Sequence, residues 1–314
     1  MESLYLSATV VFPILLQLAL GWFLRVRGLL SGPLTRGLNT LVFHVFLPVM
    51  MYMNIYHGGL HAFRLPLALF AVISVSVMFL ALFAIIPRLE HSDSRRGVLI
   101  QGIGRSNFAV FGYAVASTLC GSDNLGIVAL TVALVLPLYG IYSTIALEYY
   151  AARQANTVSV RFIITSILRN PLVLGGAIGL LSAIVDLRLP TIIVSTLDAV
   201  AQVASPLSLI ALGGFLNLRR LSGKRISLLV GVIGKLLIVP LVFLSIAAAL
   251  GFRGVEFATL LAIFASPAAT ASFTMTQQLG GDDDLAAGLV SVGAVGALGS
   301  VGLFILLFKG CLSF

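Results

Sequence analysis

Two cations stand where the sequence is otherwise apolar. Arg105 follows Arg96 by nine residues and Lys235 follows Arg225 by ten, so on helices each sits about 14–15 Å beyond the nearest basic helix end. If those helices cross a bilayer, each charge costs at least about 2.5–3.5 kcal/mol, and a functional role becomes the default reading. The matching chemistry is anion recognition, by a planar guanidinium fork and by an ammonium point charge. Ser106 and Asn107 adjoin Arg105, while Ser266, Pro267 and Thr270 form a second polar cluster in an apolar run. Pro267 has no amide hydrogen and clashes with the Ile263 carbonyl, so the helix should break there and leave backbone groups in need of partners. Two such breaks would aim positive half-helix ends at an anion. The substrate-binding candidates are therefore Arg105, Ser106, Asn107, Lys235, Ser266, Pro267 and Thr270. Asp198 is the acid at comparable depth, and an Asp198–Lys235 ion pair is the structural alternative for Lys235.

Other chemistries find less support. His44 could relay protons, although hydrogen-bonded packing is the simpler role for a lone helical histidine. His57, His61 and His91 fall in expected loops, and Asp282, Asp283 and Asp284, like Asp123, read as solvated turns. Cys120 and Cys311 lie far apart without metal-ligand spacing, so neither a disulfide framework, a metal nor a cofactor is expected. Motifs of metalloproteases, serine hydrolases, P-loops and dinucleotide sites are absent, which argues against an enzyme. The basic run Arg219, Arg220, Lys224 and Arg225 lacks interleaved aromatics, so no nucleic-acid partner is expected.

The elements that must position these residues follow from composition. With 59% hydrophobic and 10% charged residues and a mean hydropathy of +1.10, a soluble globule is excluded. Ten segments have membrane-spanning length: 4–24, 33–56, 65–87, 97–120, 124–148, 164–185, 190–216, 226–250, 254–279 and 285–308. The intervening loops are short, so residues 1–314 form one membrane domain. The first segment lacks a basic start and a cleavage site and is expected to stay as a helix. Thirteen Lys and Arg then fall on one side and four on the other, which puts both termini outside.

Pro13 and Pro171, Gly21 and Gly179, and Pro48 and Pro206 are each separated by 158 residues, and LCGSDNL (119–125) matches LGGDDDL (279–285) at 160. The chain thus reads as two repeats, about 1–150 and 160–314, of five helices each. Because five is odd, the second copy enters from the opposite side, the inverted architecture of secondary transporters. At offset 160, RSNFAVFG (105–112) superposes on ASPAATAS (265–272), placing Asn107 opposite Pro267 at a crossing of broken helices 4 and 9.

With these motifs in view, the sequence resembles the auxin efflux carrier family and its bacterial malate and malonate permease-like branch. The resemblance spans nearly the whole chain. It rests on LNTLVFHVFLPVMMY, GRSNFAVFG, RNPLVLGGAIGLL, SPLSLIALGGFL, GKLLIVPL and SPAATASFTMTQQLGGD. It implies an all-α membrane protein with a scaffold of helices 1, 2, 6 and 7, a core of helices 3–5 and 8–10, and substrate at the crossed helices. The core would move by an elevator mechanism. One departure is that helix 4 has no proline, so its break should depend on Gly104, Asn107 and Gly112. The expected function is secondary active or facilitative transport of a small organic anion, a carboxylate, by alternating access in the cell inner (plasma) membrane. A non-transporting sensor or channel on the same fold is the alternative. The expected partners are the anion, the lipid bilayer and a second copy, in a homodimer through the scaffold helices.

Overall fold

The computed structural model describes residues 2–58, 64–120, 125–155, 165, 168–215 and 223–312. The described residues are helical apart from turns and one isolated bridge. In chain order the helices are α1 (Glu2–Val26), α2 (Gly32–Leu41), α3 (Leu47–Gly58), α4 (Leu65–Leu89), α5 (Asp93–Gly104), α6 (Tyr113–Cys120) and α7 (Leu125–Gln154). They continue as α8 (Pro171–Ile184), α9 (Thr191–Phe215), α10 (Arg225–Ile233), α11 (Val239–Ala249), α12 (Gly254–Ala265), α13 (Thr270–Leu279) and α14 (Asp283–Leu307). Wide π turns join α2 to α3 at Val42–Phe46 and α10 to α11 at Gly234–Ile238, and a third, Phe108–Gly112, leads into α6.

Among the described residues, Gly32–His57, Leu65–Leu89, Thr191–Gly214 and Arg225–Ala249 are long and apolar enough to cross a membrane, and the bent Asp283–Leu307 makes a fifth if counted as one span. Two expected spans are not continuous. Segment 97–120 divides between α5 and α6, and segment 254–279 between α12 and α13, each at a break in its middle. Segment 164–185 lies partly outside the described residues, as do Asp123 and His61.

Close packing explains several glycines. A Cβ at Gly21 would lie 2.0 Å from the Ile210 carbonyl oxygen and one at Gly213 2.1 Å from that of Leu18, so α1 and α9 touch backbone to backbone. Likewise a Cβ at Gly175 would lie 2.5 Å from the Pro48 oxygen, and one at Gly179 3.1 Å from the Tyr52 oxygen, which brings α8 equally close to α3. Small residues permit this approach where lipid supplies no hydrophobic drive between helices. The Gly21–Ile210 contact recurs as Gly179–Tyr52 when both residues are shifted by 158.

Charge collects at one end of the bundle. Lys224 pairs with Asp282 at 2.5 Å and Asp284 at 3.0 Å, Arg95 with Asp282 at 3.5 Å, and Asp93 with Arg96 at 2.5 Å and Arg153 at 3.2 Å. Asp282 also caps α14, its side chain accepting from the Leu285 amide. The run 282–284 is therefore an ionic junction and not the solvated turn expected, because Asp282 and Asp284 pair with Arg95 and Lys224 from two other parts of the chain. Burial works against the Lys224 ammonium, but the bonds to Asp282 and Asp284 outweigh it and raise its pKa. At the same end Ser227 donates to Glu90. At the other end Phe70 packs on Phe252, with centroids 5.0 Å apart, and Leu189 N–H donates to the Tyr56 hydroxyl. The end of α4 thus lies beside the start of α10, and its beginning beside the end of α11.

Gly21→Ala and Gly213→Ala should each destabilise the detergent-solubilised protein by about 1–3 kcal/mol, because the new methyl meets backbone that cannot rotate away. Gly179→Ala, with looser neighbours, should cost less. Equal thermal midpoints for all three would refute the backbone contact.

Candidate functional site

The two breaks meet. α5 ends where Gly104 lies under the Phe79 ring, a Cβ there falling 2.5 Å from ring carbons, and Arg105 continues in extended conformation at φ −85° and ψ 115°. α12 ends in the same way at Ser266, φ −65° and ψ 145°. The two extended pieces pair antiparallel around Ser106 and Ala268. Asn107 N–H donates to Pro267 O at 2.8 Å, and Ala269 N–H to Arg105 O at 3.2 Å. The expectation placed Asn107 opposite Pro267 at the crossing. Asn107 does reach Pro267, but as a hydrogen-bonded neighbour across the bridge.

The carbonyl that proline strands finds a donor from the opposite break. Ser106 Oγ donates to Ile263 O at 2.5 Å and accepts from Lys235 Nζ at 2.5 Å. The π turn of α10–α11 carries Lys235 to that point. Ser266 instead bonds back to Ala262 O within its own helix. Thr270, buried, opens α13, whose N-terminus has no side-chain cap.

Arg105 and Lys235 are 3% and 2% exposed, and neither meets a carboxylate among the described residues. The Arg105 guanidinium donates to the Met275 sulfur, a neutral and weak acceptor. The Asp198–Lys235 pair is not formed. Asp198 bonds His57 Nε2 at 2.8 Å, and both are solvent-accessible at the far end of the bundle, with His57 on α3 and not in a loop. His44 bonds its Nδ1 to Thr40 O at 2.9 Å and is exposed. Among the described residues no three His, Cys, Asp or Glu side chains converge on a metal position.

Sequence reasoning overlooked several polar residues around the breaks. Gln101 Nε2 donates to Ser272 O at 2.9 Å and Thr276 Oγ1 at 2.6 Å, tying α5 to α13. Asn39 donates to Gln277 Oε1 at 2.7 Å and accepts from Thr274 Oγ1 at 2.8 Å, and Gln278 donates to Thr40 at 3.0 Å, so α2 meets α13 along a polar seam. The Tyr139 hydroxyl is buried beside Ser106 and Arg105. Lone amides in apolar runs, such as Asn39 and Gln101, were the available signal.

Over residues 6–305 the chain matches the family model described as membrane transport protein. A comparison with curated proteins gives no match.

Ser106→Ala should strand both the Ile263 carbonyl and the Lys235 ammonium, costing about 1–3 kcal/mol for each buried group left unpaired. Ser266→Ala should cost less, since its hydroxyl serves only its own helix. The thermal midpoints of the purified variants test this ordering, and equal losses would argue against the relay.

Proposed function

The chain belongs to the membrane transport protein family, the auxin efflux carrier grouping, and from that premise we propose that it carries a small organic anion, a carboxylate, by alternating access. The observation that carries this reading is the pair of buried cations, Arg105 and Lys235, brought to one helix crossing where no acid among the described residues pairs with them. Removing one partner of a buried ion pair typically costs about 3–5 kcal/mol, so cations left without one favour a site that an anion occupies in the working cycle. A carboxylate would take the Arg105 fork, the Lys235 charge and the uncapped start of α13 together.

The proposed frame is ten helices in two inverted five-helix repeats. Two features support it: the opposed directions of α4 and α10–α11, and the recurrence of the glycine contact at 158. In this frame helices 1, 2, 6 and 7 are the scaffold and the homodimer surface, and the rest is the core that moves as an elevator. The thirteen-to-four Lys and Arg bias supports an inner-membrane orientation with both termini outside.

Single cysteines at His91 and Asp186, in a background with Cys120 and Cys311 replaced by serine, should react with impermeant reagents from opposite faces, His91 from the inner one. Labelling of both from one face would remove the inverted repeat. Counterflow of radiolabelled carboxylates in proteoliposomes tests the transport itself, and binding without flux would make the protein a sensor. Arg105→Gln should lower anion affinity by roughly tenfold or more, the loss of about one charge-assisted bond pair. Arg105→Lys should recover only part of it, because a point charge lacks the fork. Unchanged affinity in Arg105→Gln would sink the cationic-site reading.

A further inference from the structure

A polar cavity of about 390 Å³ opens one half-helix away from the crossing. It lies at the C-terminal tip of α13, where Gln278 and Leu279 form part of its wall, and α13 begins at the break itself, so about 15 Å of helix separates the two. This is the end of the bundle that holds the Lys224–Asp282 junction, since Gly280 and Gly281 connect α13 directly to Asp282. The rest of the wall includes His44 from the π turn between α2 and α3, Glu148 from α7, and Arg169, Asn170 and Pro171 at the entry to α8.

The charges on this wall are of both signs, and they are not spent on each other. Among the described residues no ion pair joins Arg169 or Glu148 to any group. Because a carbonyl only accepts, the bond to Thr40 O places a hydrogen on His44 Nδ1, and in the neutral ring Nε2 is then free to accept. The cavity therefore offers a guanidinium fork and the positive end of α8 to an anion, and two acceptors, Glu148 and His44 Nε2, to a donor.

We infer that this cavity is a docking site for a small carboxylate that also carries a hydrogen-bond donor, a hydroxy- or amino-carboxylate, on its way to the crossing. The inference rests on the carrier reading above and narrows its substrate class. A dicarboxylate would set its second anionic group against Glu148, and a plain monocarboxylate would leave both acceptors without a partner, so specificity comes from the unmatched polar group as much as from the matched one.

Lactate, propionate and malonate, similar in size, are the probes. Half-saturation is measured in inside-out and right-side-out vesicles, with calorimetric binding to the purified protein as a readout independent of flux. At the face bearing the cavity, lactate should saturate at the lowest concentration and malonate at the highest. Arg169→Gln should raise half-saturation for all three roughly tenfold at that face with turnover unchanged, and the opposite face should lose the same factor in turnover over half-saturation, as the fixed overall equilibrium requires. Glu148→Gln should bring malonate towards lactate, while lactate transport kept at the wild-type rate reports an intact fold. If both substitutions leave the preference and the half-saturation unaltered while Arg105→Gln weakens transport from both faces, the docking site is wrong and the carrier reading stands. If Arg105→Gln also has no effect at either face, the carrier site falls separately. Absence of binding of all three acids to the wild-type protein overturns the docking site.

Discussion

A backbone carbonyl without a donor cannot be left inside hydrocarbon, and most of this structure follows from how that constraint is met at Pro267. The ring removes the amide that would have served Ile263 O. No residue within the same helix replaces it. The donor comes instead from Ser106, on a second interrupted helix, and the extended backbones on either side exchange two further hydrogen bonds. Each break satisfies the other, so neither is tolerable alone. Gly104 under Phe79, and Gly112 against Phe108 and the Ala262 carbonyl, are what allow the α5–α6 strand of the crossing to lie this close to its surroundings.

Charge placement depends on the same solution. Ser106 uses its hydrogen on Ile263 O, which leaves its oxygen as the acceptor for Lys235, and the π turn at Gly234–Ile238 rotates that ammonium inward. Arg105 caps the broken end of α5 and extends to Met275 on α13. Both cations are thus held by neutral groups. Such contacts orient a charge without cancelling it, which separates an anion site from a structural ion pair. Among the described residues three acids sit elsewhere, Asp93, Asp282 and Asp284, at the junction with Arg95, Arg96, Arg153 and Lys224.

Membrane residence, spans such as 65–87 and 226–250, and the break at Pro267 were legible because each depends on local sequence. The break at Arg105–Asn107 was legible only through the repeat, as no proline marks it. Partner choice was the hardest to read. Asp198 and Lys235 lie at similar sequence distances from their helix ends, yet Asp198 is on the accessible end with His57 while Lys235 is turned into the crossing. Asn39, Gln101 and Tyr139 carry no motif at all, and their roles come only from which helices pack together.

The interfaces around the crossing differ in kind, and the difference bears on how a carrier cycle would run. Where α1 meets α9 and α3 meets α8, backbone touches backbone at Gly21, Gly213 and Gly175, and any sliding would drive a carbonyl into the neighbouring chain. Those pairs behave as rigid units. Where α2 meets α13, contact is made by the ends of Asn39, Thr40, Thr274, Gln277 and Gln278. Interhelical bonds of this type in membrane proteins average only about 0.6 kcal/mol, and their amides and hydroxyls can take new partners after a shift. A displacement therefore costs least along the α2–α13 seam, which runs from the tip of α13 towards the crossing. The rigid glycine pairs fall on the helices assigned to the scaffold and the exchangeable seam on the boundary with the core, so the proposed division into fixed and moving parts has a basis in contact chemistry as well as in the repeat.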